Sequence, residues 1–337
     1  MAALLLCAPA QAAGQTSFKD WTVVCDNLNT CVAFVFPTDE GEQAWLRLER
    51  AGDAGAPVRV TIVVSAEERP GAGGASWGLT VDGKPIPGLA ALKPVADDTG
   101  FWRAEIPADK ARLVALAARD GSVMTLTRRG RAPMVLPLSG GAATMIWIDE
   151  QQGRLGSPTA LSRASGVPAA IVAPARPRIA AGPPVSQTGL PAQVPASVMT
   201  AIGECEEQME PAIDPIIARL SPGVALYAPV CSRGAYNALY SLVLADERGG
   251  GARVIQLPLP EGFGQTSIGD PMNIDYDPTS RILTSFAKGR GLGDCGDETQ
   301  WVWDGEAFQV LLSRVMGHCR GVPFDDWPTL FQAEVRP

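Results

Sequence analysis

Short runs of apolar and β-branched residues, broken by turn-forming residues, dominate the first half of the chain. Residues 21–25, 31–36, 44–50, 58–65, 77–81, 113–118 and 123–128 each read as a strand. The turn signals between them include Asp82-Gly83 and Asp120-Gly121. Asp82-Gly83 joins Leu79-Thr80-Val81 to Lys84-Pro85-Ile86, the pattern of a two-residue hairpin. Strands at this spacing predict an N-terminal antiparallel β-sandwich or open barrel over residues 14–164. The stretch 107–113 adds a short helix.

Residues 165–195 break this pattern with a run rich in Pro, Ala and Gly. Proline this dense fixes φ and removes donors, so neither helix nor sheet is expected to run through it. The segment reads as an extended interdomain linker, with a strap packed along one domain as the alternative. Residues 196–337 form the second domain. Ser197 caps a helix over 198–210, Pro211 ends it, and Asp214-Pro215 starts another helix running to Leu220. Strands are expected at 224–230, 238–245, 254–259, 282–287, 299–303 and 308–312. Helices followed by an antiparallel meander make an α+β part, and the whole chain reads as mainly β.

Composition supports two domains. The chain has 337 residues, 46% hydrophobic and 19% charged, which excludes wholesale disorder. Its 36 Gly and 29 Pro fit many turns plus a linker and argue against an all-helical bundle. The net charge of −8 argues against a nucleic-acid partner. No apolar run reaches the roughly 18 residues of a membrane-spanning helix.

Cysteine usage depends on the N-terminus. Residues 1–13 read as a signal-peptide remnant, with an apolar run at 2–8 and the small-x-small site Ala10-Gln11-Ala12. The missing charged n-region points to a start truncated upstream, and Leu6 before Cys7 is too large for lipidation. Cleavage leaves Cys25, Cys31, Cys205, Cys231, Cys295 and Cys319, an even set that suits disulfides in the periplasm. Proximity favours Cys25–Cys31, Cys205–Cys231 and Cys295–Cys319. Zinc is the rival, but no pair has C-x-x-C spacing and the chain has one His. The two loops of about 25 residues make each of those bridges worth roughly 3 kcal/mol in the loop-entropy model.

Several blocks resemble a bacterial exported family known as domain of unknown function 1176. They are Phe18-Lys-Asp-Trp-Thr-Val-Val-Cys-Asp-Asn27 with Cys31, Ile148-Asp-Glu-Gln-Gln-Gly-Arg154, Cys231-Ser-Arg-Gly-Ala-Tyr-Asn237, Lys288-Gly-Arg-Gly-Leu-Gly-Asp-Cys-Gly296, Trp301-x-Trp303, Cys319-Arg-Gly321 and Trp327-Pro328. The N-terminal part is also partly similar to invasion-associated locus B proteins through its Trp-x-Val-x-Cys opening. The resemblance implies a periplasmic or envelope protein and no particular reaction.

Candidate chemistry centres on the glycine-rich stretch 289–296. Glycines let backbone amides approach an anion, and Arg290 adds a charge-assisted donor. The plainer reading is a glycine-demanding connection pinned by Cys295. Asp294, Asp297 and Glu298 suit either a hard cation or a paired-carboxylate hydrolase, against a plain solvated acidic loop. Trp301 and Trp303 share one strand face and are either core or an aromatic platform, with Tyr236 and Asn237 as further lining. His318 is not expected to act with Cys319, which an oxidising compartment would bond. The ligand-binding candidates are therefore Arg290, Asp294, Asp297, Glu298, Trp301, Trp303, Tyr236 and Asn237, with no catalytic set, metal or cofactor called for. The leading expectation is noncatalytic binding or inhibition of an envelope protein or glycan. An envelope hydrolase using the acids of 294–298 and a purely structural envelope protein are the alternatives. The sequence does not speak to oligomeric state.

Overall fold

The computed structural model describes residues 14–39, 41, 43–65, 76–166, 171–205, 213–260 and 271–336. The expected leader at 1–13, including Cys7, and the helix expected beyond Cys205 lie outside the described residues. The chain divides into two compact units, Met1–Ala175 and Arg176–Pro337.

In the first unit an antiparallel sheet runs in the order Gly14–Phe18, Trp21–Cys25, Cys31–Val35, Ala44–Arg50, Val58–Ser65, Phe101–Glu105, Val95–Ala96. A second antiparallel sheet has the order Met134–Pro137, Val123–Arg128, Trp77–Val81, Lys84–Pro85. Neither closes into a barrel. The Asp82-Gly83 turn forms as expected, with φ of 48° and 73° at its two residues, the positive values that the hairpin demands. Both sheets feed one core that also takes in Trp21, Trp77, Ile62 and Leu126.

Two helices join that core. Helix α1, Ala108–Asp120, overturns the strand expected at 113–118. Its buried residues are Ala111, Val114, Ala115 and Ala118, the i, i+3, i+4, i+7 pattern of one helix face, while Leu113 faces outward. Its apolar run looked like a strand because the small alanines hid the period. Helix α2, Gly141–Gln151, was not expected. It starts at Gly140, whose φ of 97° and close approach to Phe18 leave no room for a side chain.

The second unit is mainly β as well. A four-stranded antiparallel sheet has the order Ile216–Ser221, Val224–Ala228, Val243–Ala245, Arg253–Val254. A five-stranded antiparallel meander runs Asp275–Asp277, Ile282–Lys288, Gly296–Trp303, Phe308–Met316, Thr329–Gln332. A small hairpin pairs Val230–Arg233 with Ala238–Tyr240. Helix α3, Ala196–Ile202, buries Val198 in a core with Tyr227 and Val243.

Two expectations fail here for identifiable reasons. Residues 216–221 form a strand, not a helix starting at Asp214-Pro215. Consecutive β-branched residues Ile216 and Ile217 favour a strand, and Pro222-Gly223, with φ of 76° at the glycine, folds it into a hairpin with Val224–Ala228. The proline-rich segment also contains sheet. Arg178–Ala180 lies between Pro177 and Gly182, keeps its N–H groups, and pairs in parallel with Glu334–Arg336. Residues 182–188 then bond along the second unit. Gly182 N–H donates to Trp303 O (2.9 Å), and the Gln187 side chain both accepts from Arg219 N–H (2.8 Å) and donates to Arg219 O (3.0 Å).

All three expected bridges form. Cys25 and Cys31 stand directly opposite each other across a hairpin. Its five-residue turn is organised by Asp26, whose Oδ1 accepts from Leu28 N–H and Thr30 N–H. Cys295 and Cys319 flank the strands Gly296–Trp303 and Phe308–Met316 at the base of their hairpin.

Candidate functional site

The stretch 289–296 is a closed loop joining two strands of the meander. Gly289 N–H donates to Cys295 O (2.8 Å), and Gly293 N–H donates to Arg290 O (2.9 Å). The glycines are demanded by geometry at two places. A Cβ on Gly289 would sit 2.8 Å from Cys295 Sγ, and one on Gly296, at φ 134°, would run into the Ala287 carbonyl.

Arg290 and Asp294 form a two-pronged fork inside this loop, Nε to Oδ1 at 2.7 Å and Nη2 to Oδ2 at 2.6 Å. Asp294 Oδ2 also accepts from Gly321 N–H (2.7 Å), which ties the loop to the segment carrying Cys319. The hydrogen bonds from Arg290, helped by Gly321, hold the Asp294 carboxyl below its ordinary range against the opposing effect of burial. The same fork raises the Arg290 pKa. The charges are thus spent on the loop's own shape.

Tyr236 and Asn237 do meet this loop, across more than fifty residues of sequence. Tyr236 Oη donates to Gly289 O (3.1 Å). Asn237 Nδ2 donates to Lys288 O (2.9 Å), and its Oδ1 accepts from Lys288 N–H (3.1 Å) and Asn273 Nδ2 (2.7 Å). Asn273 extends the clamp by donating to Phe286 O (2.9 Å) and accepting from Ala238 N–H (2.9 Å). What the clamped loop presents outward is Leu292, 76% exposed, with the Tyr236 ring, 42% exposed, beside Gly291.

The three acids do not converge. Asp294 is in the fork, and Asp297 and Glu298 point to opposite faces of their strand. Glu298 is buried, accepts from Gln300 Nε2 (2.8 Å), and lies 3.7 Å from Arg314, whose guanidinium sits 5.0 Å from the Phe324 ring centre. Among the described residues no three His, Cys, Asp or Glu side chains gather as metal ligands. The hydrolase expectation asked for two converging carboxylates, and Asp294 in its fork with Asp297 and Glu298 on opposite strand faces do not supply that convergence. His318 adjoins a cysteine already bonded to Cys295.

Trp301 and Trp303 are core residues, 3% and 2% exposed, which corrects their place among the ligand-binding candidates. Their indole N–H groups are spent on Pro258 O (2.7 Å) and Ser221 Oγ (2.8 Å), and Trp303 packs edge-on to Phe308. The two indoles share one strand face, and that face points inward.

A second polar cluster, in the first unit, gives a structural role to the block Ile148-Asp-Glu-Gln-Gln-Gly-Arg154. Asp149, Gln152 and Arg154 are all buried at the end of α2. Asp149 accepts from Leu161 N–H (3.0 Å), Ser162 N–H (2.7 Å) and Ser162 Oγ (2.7 Å), and lies 3.7 Å from Arg50. Gln152 Nε2 donates to Asn29 O, Arg50 O and Ala51 O, and Arg154 donates to Asp53 O and Ala54 O. Burial first, and then repulsion from Arg154, pull the Arg50 pKa down to about 10, with Asp149 opposing both. The sequence shows only a polar run from Asp149 to Arg154 after the apolar Met145–Ile148 stretch; which of its residues turn inward is set by the fold.

These features define a mainly β, disulfide-stapled protein of two compact units, the second of which presents a clamped glycine loop. A family model described as "Protein of unknown function (DUF1176)" matches residues 15–334. The chain belongs to that family. It is 30% identical over 345 aligned residues to "Uncharacterized protein YpfG" of Escherichia coli (strain K12), covering 97% of this chain and 94% of the relative. No solved structure matches.

Proposed function

We propose that the chain is a noncatalytic binding protein of the bacterial periplasm, and that the face formed by Leu292 and Tyr236 docks an envelope protein. The observation that carries this is the 76% exposure of Leu292 at the tip of a loop fixed by a disulfide, an ion-pair fork and an asparagine clamp. A pre-organised loop loses little freedom on docking, so an exposed apolar tip with an aromatic neighbour makes an efficient contact. Three disulfides suit an oxidising compartment, and the small-x-small site at 10–12 suits export. Of the two partner classes expected, a protein fits better than a glycan. The aromatic pair that would stack on sugar rings, Trp301 and Trp303, is buried.

The immobilised chain, offered a periplasmic extract, is expected to retain a defined protein that the Leu292→Asp variant fails to retain. Leu113→Asp, a similar change on an exposed site of the other unit, should retain it. Equal capture by all three chains overturns the docking role of this face. Retention of peptidoglycan fragments in place of protein assigns the face to a glycan.

A further inference from the structure

The first unit carries a groove of about 760 Å³ between the end of α1, one side of α2 and residues 155–165. We propose that it binds a single-chain anionic amphiphile, a free fatty-acid carboxylate. This inference is independent of the loop at 289–296.

One wall of the groove is apolar. Ile146 and Leu155 are 48% and 50% exposed, and Ala142 and Ala164 extend the same lining. A groove this size falls within the range of small-ligand sites, and each methylene it removes from water multiplies affinity by about four.

The polar groups of the groove decide the headgroup. Arg119 is spent: it forks onto Asp120 (2.7 and 2.6 Å) and donates to Leu161 O and Ser162 O. The Ser162 hydroxyl is committed to Asp149, and the Ser165 hydroxyl to Gly156 O. Arg163 is exposed, and it is the lining cation with no partner among the described residues. One unpaired cation beside an apolar wall complements one negative charge on an apolar tail. A nucleotide or polyanion would need several cations, and a sugar would need free hydroxyl partners that the two serines no longer offer. The positive site is also set against a chain of net charge −8, so it is a local feature and not a general property of the surface.

The test uses the full chain and titrates dodecanoate, dodecanol and acetate by calorimetry. Dodecanoate is expected to bind at one site per chain, dodecanol about tenfold more weakly, and acetate not at all. Arg163→Gln should weaken dodecanoate about tenfold and leave dodecanol unchanged. Ile146→Asp should abolish both, and Leu155→Asp repeats that arm if the first variant folds poorly. Phosphatidylcholine vesicles alone should give no binding to the chain, which separates a free amphiphile from a membrane surface. No dodecanoate binding overturns the proposal. So does binding that is indifferent to both Arg163→Gln and the wall variants, because the ligand would then sit elsewhere.

Discussion

Replacing Asp149 by alanine removes the hub of the first unit's buried polar cluster. The wild-type carboxylate accepts three hydrogen bonds, from Leu161 N–H, Ser162 N–H and Ser162 Oγ, and faces Arg50 at 3.7 Å. Without it, two backbone donors in a buried setting lose their acceptor, at about 1–3 kcal/mol each. Arg50, itself buried, loses its carboxylate, and breaking a buried pair costs about 3–5 kcal/mol. These contributions share one group and do not add fully, so about 4 kcal/mol is the working value. That is a large share of the roughly 5–15 kcal/mol holding a domain together. Hydrogen exchange read by mass spectrometry on peptides covering Ala44–Arg50 and α2 isolates this unit. At about 1.4 kcal/mol per decade, protection there should fall close to a thousandfold. The exposed neighbour Glu150→Ala should change it less than about threefold, the range of ordinary surface substitutions. A fall of less than tenfold for Asp149→Ala would show that the cluster is incidental to stability.

The loop of the second unit makes two further predictions. Gly296→Ala forces a Cβ into the Ala287 carbonyl at a φ of 134°, where neither atom can turn away. It should lower the Tm of the second unit by about 6–12 °C, for a cost near 3 kcal/mol. Gly291→Ala, whose Cβ meets only Tyr236 at 3.8 Å, should shift it far less; equal shifts would contradict the geometry. Asp294 titrates below its ordinary value of 3.8 in the fold, so its contribution is whole above that value and is lost as pH falls through the lower, folded one. Urea midpoints of the second unit taken from pH 6 downward should therefore fall more steeply for the wild type than for Asp294→Asn, and parallel curves would remove the fork from the account.

Most strands were legible because apolar runs, β-branched residues and turn pairs such as Asp82-Gly83 act locally. The bridges were legible because an even cysteine count and short separations leave one economical pairing. Helix α1 was half legible: Pro107 and Asp109 marked its start, while alanine-rich burial disguised its continuation. Helix α2 was missed because apolar residues stand on both faces, with Met145 and Ile148 buried and Ala142 and Ile146 exposed, while polar Thr144 and Asp149 are buried, so no periodicity stands out. At the loop, the residue types were visible but their employment was not. Whether Arg290 meets a ligand or Asp294, and whether Trp301 and Trp303 face water or core, depends on strands paired across tens of residues. The contact of Tyr236 and Asn237 with Lys288 and Gly289 is of the same kind: it is tertiary, with no local trace.

The docking role of the Leu292 face has a direct measurement. A photo-crosslinking amino acid is placed at position 292 of the exported chain, irradiated in intact cells, and compared with the same residue placed at position 113. The account predicts a discrete adduct to an envelope protein from position 292 alone. No adduct from position 292, or the same adducts from both positions, would contradict it.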